Sequence, residues 1–227
     1  MSKDFHAEPF DEETKLKLEI FRGYIREWLP VFLAKPTFKI VALYDFFAGP
    51  GKDVQGEKGS PLIIIEELNK YLNDPSKPQS PDVKIKLFFN DEDTHKYMEL
   101  KKAIENENVS KIFSIEIDNK DFTAIFKEKF SSIASIDTAA LVILDQCGIK
   151  HITQNIFTKL TSCSATDILF FISSSTIRRF SGEDCIDQYF PGVSRKQIEA
   201  IDPGHIHRFI CTSHPKTLRS KMTIQPS

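Results

Sequence analysis

The feature that most constrains the fold is a regular alternation of short apolar runs with segments that carry helical signals. Each run is dense in Ile, Val, Leu or Phe, as is typical of parallel strands covered on both faces. The runs are 39–47, 84–89, 112–117, 140–144 and 168–173. Helices are predicted over 62–72, 94–104, 122–130 and 151–160. This strand and helix order predicts an α/β sheet with right-handed crossovers.

Two local patterns add to this prediction: one marks the start of a helix already named, and the other indicates a further helix. Ser60 and Pro61 are favourable cap and first-turn residues, so they are expected to open the first of the four. Another helix is expected over 11–33, where Phe21, Tyr24 and Trp28 follow helical spacing and predict a face that packs against the core. Pro30 predicts a kink in that helix or a break into two pieces, because proline lacks the backbone donor and clashes with the preceding turn.

The composition is that of a globular protein, with 41% hydrophobic and 27% charged residues among 227. This length favours one α/β domain, 36–227, preceded by a helical extension, 1–35. The net charge of −2 identifies no partner. No apolar run reaches the ~18 residues of a membrane span. With no leader near Met1 and no paired cysteines, the reducing cytoplasm is the expected compartment.

Acidic residues follow the ends of successive predicted strands. Asp45 ends the first strand, before a turn that contains Gly49 and Gly51. Glycines permit close backbone approach to a ligand, and a carboxylate at this edge can accept hydrogen bonds from it. A tight turn capped by Asp45 is the alternative interpretation. Asp91 follows the second strand, where an acidic residue is placed to accept hydrogen bonds from ribose hydroxyls.

The next two strands add further carboxylates. Asp121 follows the third strand and is placed to approach an adenine amino group, although a helix N-cap would look the same. Asp145 follows the fourth strand. If that strand neighbours the first across the point where the strand order reverses, Asp45 and Asp145 flank one crevice, which is the expected ligand site of such a sheet.

These residues support a family resemblance. Residues 45–51, DFFAGPG, resemble the D-x-F-x-G-x-G first motif of S-adenosylmethionine-dependent methyltransferases. Together with GSPL at 59–62 and LDQCG at 144–148, the motif resembles more narrowly the three-Cys-motif partner proteins. That bacterial family is methyltransferase-like and is named for a neighbouring protein with three cysteines. With TKL at 14–16, the resemblance spans roughly residues 11 to 180.

The resemblance implies a Rossmann-like class I methyltransferase sheet, S-adenosylmethionine as cofactor and a three-Cys-motif protein as partner. The implied cofactor contacts are Asp45, Gly49 and Gly51 for the methionine part, Asp91 for the ribose and Asp121 for the adenine side. Asp145 would face the methyl group as the catalytic residue. There it would hold an exocyclic amine in line with the sulfonium, so that transfer proceeds by orientation.

The chain departs from the family pattern after Asp145. The family usually has Asp-Pro-aromatic-Gly, whereas this chain has Gln146 and Cys147. A stacking platform for a flipped base is therefore missing at that position. The chain also looks short at its C-terminus for this family, so the final sheet hairpin is expected to be abbreviated or lost.

Three functions stay open at this point. One is a methyltransferase that acts with a partner protein on an unidentified acceptor. Another is a catalytically silent, methyltransferase-like binding module of a partner complex. A different nucleotide-using α/β enzyme is disfavoured, because the chain has no lysine-containing phosphate loop.

The C-terminal part carries weaker signals. Short helices are predicted over 182–190 and 195–200, and a strand over 207–212. One cluster contains His205, His207, Cys211 and His214. Its spacing matches no zinc pattern, so no metal site is predicted. The basic residues Arg178, Arg179, Arg208, Lys216, Arg219 and Lys221 indicate nucleic-acid binding only weakly, because terminal charge runs are usually solvated.

Overall fold

A computed structural model describes residues 8–107, 109–145 and 153–171 of the chain. It shows an α/β fold with a five-stranded parallel sheet, compatible with a Rossmann-like fold. The elements in chain order are α1 (Glu12–Leu33), β1 (Ile40–Asp45), α2 (Ser60–Leu72), β2 (Lys84–Asn90), α3 (Thr94–Glu105), β3 (Phe113–Asp118), α4 (Phe122–Ile133), β4 (Thr138–Leu144), α5 (Gln154–Thr161) and β5 (Thr166–Phe170). The predicted alternation of strands and helices is confirmed.

The strands lie in the order β3-β2-β1-β4-β5. β1 pairs in parallel with β2 on one side and with β4 on the other, and Asp45 is in register with Phe89 and Ile143. The strand order therefore reverses between β1 and β4, as the prediction for the crevice requires. The ends of these two strands stand side by side at the carboxyl edge of the sheet.

The chain divides into two compact units. The first comprises Met1–Asp145 and Ala165–Leu169, and the second comprises Gln146–Ser164 and Phe170–Ser227. The elements predicted over 182–190, 195–200 and 207–212 lie outside the described residues, as do the histidine cluster and the C-terminal basic residues. No helix in the described part of the chain is long and apolar enough to cross a membrane.

The core of the first unit lies on both faces of the central strands. All seven residues of β4 are buried, and so are the last five of the six in β1. Continuous burial explains why these strands are apolar without alternation, as in other parallel sheets covered by helices. Phe46, just beyond β1, packs edge-on against Phe122 at the start of α4, with ring centroids 5.5 Å apart. The aromatic core thus reaches the edge where the site is expected.

α1 is one helix from Glu12 to Leu33. Asp11 caps it by accepting a hydrogen bond from the Thr14 N–H at 2.8 Å. Of the kink or break that was predicted at Pro30, the break is wrong, since the helix continues to Leu33, and the kink stays a prediction. Pro30 lies in the last turn, and its own carbonyl accepts the N–H of the cap residue Ala34. A proline so near the helix end removes one backbone hydrogen bond without interrupting a long run of turns.

Two of the three predicted core residues of α1 are buried. Phe21 and Trp28 are 1% and 4% exposed, whereas Tyr24 is 37% exposed, so its prediction as a core residue is wrong. Tyr24 lies at the border of the packed face, where its ring is partly covered and its hydroxyl is near Asp167. Partial burial raises the pKa of Tyr24 to about 12, and the Asp167 carboxylate adds to the shift. Asp167 also accepts the Trp28 Nε1–H at 2.9 Å, which ties α1 to β5.

A buried carboxylate joins α1 to α2. Glu67 of α2 is 3% exposed, and its oxygens accept hydrogen bonds from Arg22 and Arg26 of α1, each at 2.7 Å. Lys70, one turn further along α2, adds a third cation at 3.0 Å. We call these four residues the Glu67 cluster. Burial raises the pKa of Glu67, but the three cations outweigh that effect and lower the pKa to about 2. The N-terminal helix is thus held by charge as well as by its apolar face.

Candidate functional site

Three of the predicted site residues meet at the carboxyl edge of the sheet. Asp45 is the last residue of β1, whereas Asp145 directly follows the neighbouring strand β4 and Asp91 directly follows β2. Asp145 and Asp91 are close enough for their charges to act on Asp45 and raise its pKa. The structure therefore places three carboxylates around the point where the strand order reverses.

The glycine turn after β1 is attached to the end of β2. Gly49 has a φ of 64°, in the left-handed region that favours glycine. Its N–H donates to Asp91 Oδ2 at 2.9 Å, and the Ala48 N–H donates to the Asn90 carbonyl at 2.9 Å. The backbone of the turn is thereby held against the residue that was predicted to meet a ribose.

Gly51 is favoured by its backbone conformation and by close packing. It has a φ of 84°, and a Cβ there would lie 2.9 Å from Leu100 Cδ1 of α3. Its carbonyl accepts the Gly59 N–H at 2.8 Å, which closes the loop between β1 and α2. What the structure shows for Gly51 is close packing of this loop against α3. Its contact with the methionine part of a cofactor stays a prediction.

Asp45 is fully buried and has partners within the protein. Its Oδ2 accepts the Ser60 hydroxyl at 2.6 Å, and its Oδ1 accepts the Phe47 N–H at 3.1 Å. Ser60 is accordingly not the N-cap that was predicted for α2. Gly59 is the N-cap of α2, and the Ser60 hydroxyl donates its hydrogen bond to the Asp45 carboxylate instead. Burial raises the pKa of Asp45 to about 7, although both hydrogen bonds oppose the shift.

Asp91 is half-buried at the same edge. Its Oδ2 holds the Gly49 N–H and its Oδ1 accepts the Asp93 N–H at 2.9 Å. Burial raises the pKa of this carboxyl above its usual value. A carboxylate offers about four acceptor positions, so two internal hydrogen bonds leave it capacity for the hydroxyls of a ligand.

Asn90 is a site residue that the sequence prediction missed. Its buried amide donates to the carbonyls of Phe46 and Lys120 at 3.3 and 3.0 Å, and its Oδ1 accepts the Lys120 N–H at 3.1 Å. One side chain thus joins the segments that follow β1 and β3. The available signal was an amide that directly follows the apolar residues 87–89 at the end of β2.

Asp121 is the N-cap of α4. Its exposed side chain accepts the Ala124 N–H at 3.1 Å. The structure therefore shows the capping interaction that was the alternative for this residue. A contact with adenine stays a prediction.

Asp145 is paired with a lysine from α1. Lys17 Nζ lies 2.5 Å from Asp145 Oδ2, and the two side chains are 30% and 29% exposed. Helical spacing did not predict this pair, because it joins residues 128 positions apart. Gln146 and Cys147, where the chain departs from the family motif, lie outside the described residues.

No family model matches the chain, and no curated protein matches its sequence. The resemblance to the three-Cys-motif partner proteins therefore stays a prediction that rests on the motifs themselves. Among the described residues, no group of three or more His, Cys, Asp or Glu is placed to hold a metal ion.

Proposed function

We propose that this chain is an S-adenosylmethionine-dependent methyltransferase that acts with a partner protein on an acceptor still to be identified. The observation that carries the proposal is the hydrogen bond from the Gly49 N–H to Asp91. It joins the glycine turn after β1 to the first residue after β2, next to the point where the strand order reverses. In open α/β sheets, ligands bind outside the strands at this point.

The residues at this edge fit the chemistry of the cofactor. S-adenosylmethionine has a ribose diol, which suits the remaining acceptor positions of Asp91. It also carries a sulfonium and an ammonium, and cations are favoured next to the carboxylates of Asp91 and Asp145. When bound, the cofactor would supply an electrophilic methyl group.

The three carboxylates would have different tasks. Asp45 is fully buried with both oxygens in internal hydrogen bonds, so its task is to fix the turn and the first residue of α2. Asp91 would bind the ribose. Asp145 is partly exposed and directly follows β4, which pairs with β1, so it would orient the acceptor for transfer.

Replacing Asp91 is expected to weaken binding of S-adenosylhomocysteine. Asp91→Ala removes the charged acceptor for the ribose hydroxyls and releases the Gly49 N–H. Hydrogen bonds to a charged group contribute ~1.5–3 kcal/mol each, which corresponds to roughly a tenfold to hundredfold loss of affinity. Isothermal titration measures the loss, and Glu92→Ala, at the exposed neighbouring position, is the matched control.

The titration separates two failures. If the wild-type protein binds no S-adenosylhomocysteine, the proposed cofactor is wrong. If Asp91→Ala binds S-adenosylhomocysteine as tightly as the wild type and Glu92→Ala do, the proposed cofactor is still supported, but its ribose is bound by another residue.

The silent binding module is the second candidate. It is favoured by Gln146 and Cys147 in the sequence. It is also favoured by the Lys17 ammonium, which already forms an ion pair with the Asp145 carboxylate. In such a module the edge of the sheet would bind a ligand or the partner without methyl transfer.

Transfer of a labelled methyl group distinguishes the two candidates. The assay uses purified protein, labelled S-adenosylmethionine and total cell extract as acceptor, with and without the product of a neighbouring gene. For a methyltransferase, Asp145→Ala should still bind the cofactor and lose far more turnover than cofactor affinity, because its main interaction is with the acceptor in the transition state. Cofactor binding without any labelling, even with the partner, would establish the silent module. Labelling that persists in Asp145→Ala would refute the role of this residue.

A further inference from the structure

The Lys17–Asp145 pair differs from the other lysine pair near the start of α1. Lys15 pairs with Glu12 on the same helix, at 3.2 Å, and the Glu12 side chain is 93% exposed. Such a local surface pair contributes little to structure. Lys17 instead reaches across to the end of β4, and both members of its pair are about two-thirds buried.

The position of Lys17 is determined by the anchoring of α1. Phe21 and Trp28 bury the apolar face of the helix, and the Glu67 cluster ties Arg22 to α2. The helix cannot shift without disturbing these contacts. The anchoring of α1 therefore fixes the Lys17 ammonium at the edge of the sheet, where it pairs with Asp145.

We propose that Lys17 is a positioning residue of this site, which holds the Asp145 carboxylate in place and offsets its charge beside the cofactor sulfur. The inference rests on the proposed function. It means that α1 helps to determine how strongly the site prefers the charged methyl donor to its uncharged product.

The physical reason is that donor and product differ by one charge at the sulfur. S-adenosylmethionine is a sulfonium, and S-adenosylhomocysteine is a neutral thioether. Carboxylates near the sulfur favour the sulfonium, whereas a nearby ammonium opposes it. By pairing with Asp145, Lys17 moderates the preference for the donor and keeps the carboxylate from turning toward the sulfonium, so that it stays directed to the acceptor.

Titrations with both ligands test this inference without an acceptor. In Lys17→Met, the ratio of affinities for S-adenosylmethionine and S-adenosylhomocysteine should rise roughly three- to tenfold, because one positive charge near the sulfur is gone. A purely structural role would change both affinities together and leave the ratio unaltered. Lys17→Arg should restore the wild-type ratio, and Lys15→Met is the matched control that should leave it unchanged.

Asp145→Asn gives an independent result if Lys17→Met does not fold. It removes the negative charge and keeps Lys17, so the ratio should fall below that of the wild type. An unchanged ratio in a folded Lys17→Met or Asp145→Asn, or an equal change in Lys15→Met, would overturn the inference. After those results the proposal that S-adenosylmethionine is the cofactor would still hold, provided that the wild type binds both ligands. A wild type that binds neither would overturn the proposed function and this inference together.

Discussion

Glu67→Gln is expected to lower the free energy of unfolding by about 2–3 kcal/mol at pH 7. Glutamine keeps the shape of the side chain but leaves Arg22 and Arg26 facing a buried neutral group. Breaking a buried ion pair by neutralising one partner costs ~3–5 kcal/mol, and the exposed side of Arg26 reduces that figure here. Glu66→Gln is the matched control, because Glu66 is on the same helix, shares Arg22 and Lys70, and is 25% exposed. We expect it to cost less than about 1 kcal/mol.

The effect of Glu67→Gln should depend on pH. The folded pKa of Glu67, about 2, is below its ordinary value of 4.5. Its ionisation therefore stabilises the folded state above pH 4.5, and this contribution is lost as the pH falls toward 2. Between pH 7 and pH 3 the difference between wild type and Glu67→Gln should shrink by about 2 kcal/mol. Urea unfolding at both pH values measures it, and a difference that stays constant would contradict the ion pairing of Glu67.

The order of the strands and helices could be predicted from the sequence, but the apolar runs do not coincide with the strands. The apolar run 39–47 extends past Asp45, which is both the predicted and the observed last residue of the first strand. Phe46 is apolar because it packs in the aromatic core, although it lies beyond the last residue of β1. Conversely, β4 begins at Thr138, a polar residue that is buried in the sheet. Apolar residues indicate burial, but buried apolar residues continue past the end of β1, and a buried polar residue begins β4.

The site was predictable only as a set of strand ends. Parallel strands bring their carboxyl ends to one edge, so Asp45, Asp91 and Asp145 could be placed there before their contacts were known. Which carboxylate is buried and which is reachable depends on the loop that covers it. Asp45 is enclosed because Ser60 and the Phe47 backbone occupy its two oxygens.

The charge partner of Asp145 lay beyond any local pattern. Lys17 is one of two lysines near the start of α1, and its spacing resembles that of any solvated face. Only the packing of α1 on the sheet brings it to the end of β4. Interactions between distant segments depend on tertiary packing, which periodicity does not describe.

Asp45→Asn is expected to become more stable relative to the wild type as the pH rises. The folded pKa of Asp45, about 7, is above its ordinary value of 3.8, because burial disfavours the charged form. Between these two values the folded state binds more protons than the unfolded state, so the wild type loses stability as the pH rises from about 4 to 7. Asparagine carries no such penalty, and its amide can pair with the rotatable Ser60 hydroxyl.

Urea unfolding of both proteins at pH 5 and pH 8 tests this expectation. The stability of Asp45→Asn minus that of the wild type should increase by about 2–3 kcal/mol between the two pH values. Comparing two pH values removes any constant effect of the new amide on packing. Asp82→Asn, which replaces an exposed carboxylate before β2, is the control for general charge effects. If the difference for Asp45→Asn is the same at both pH values, Asp45 is not a carboxyl that burial keeps from ionising, and its task as the internal anchor of the turn has to be revised.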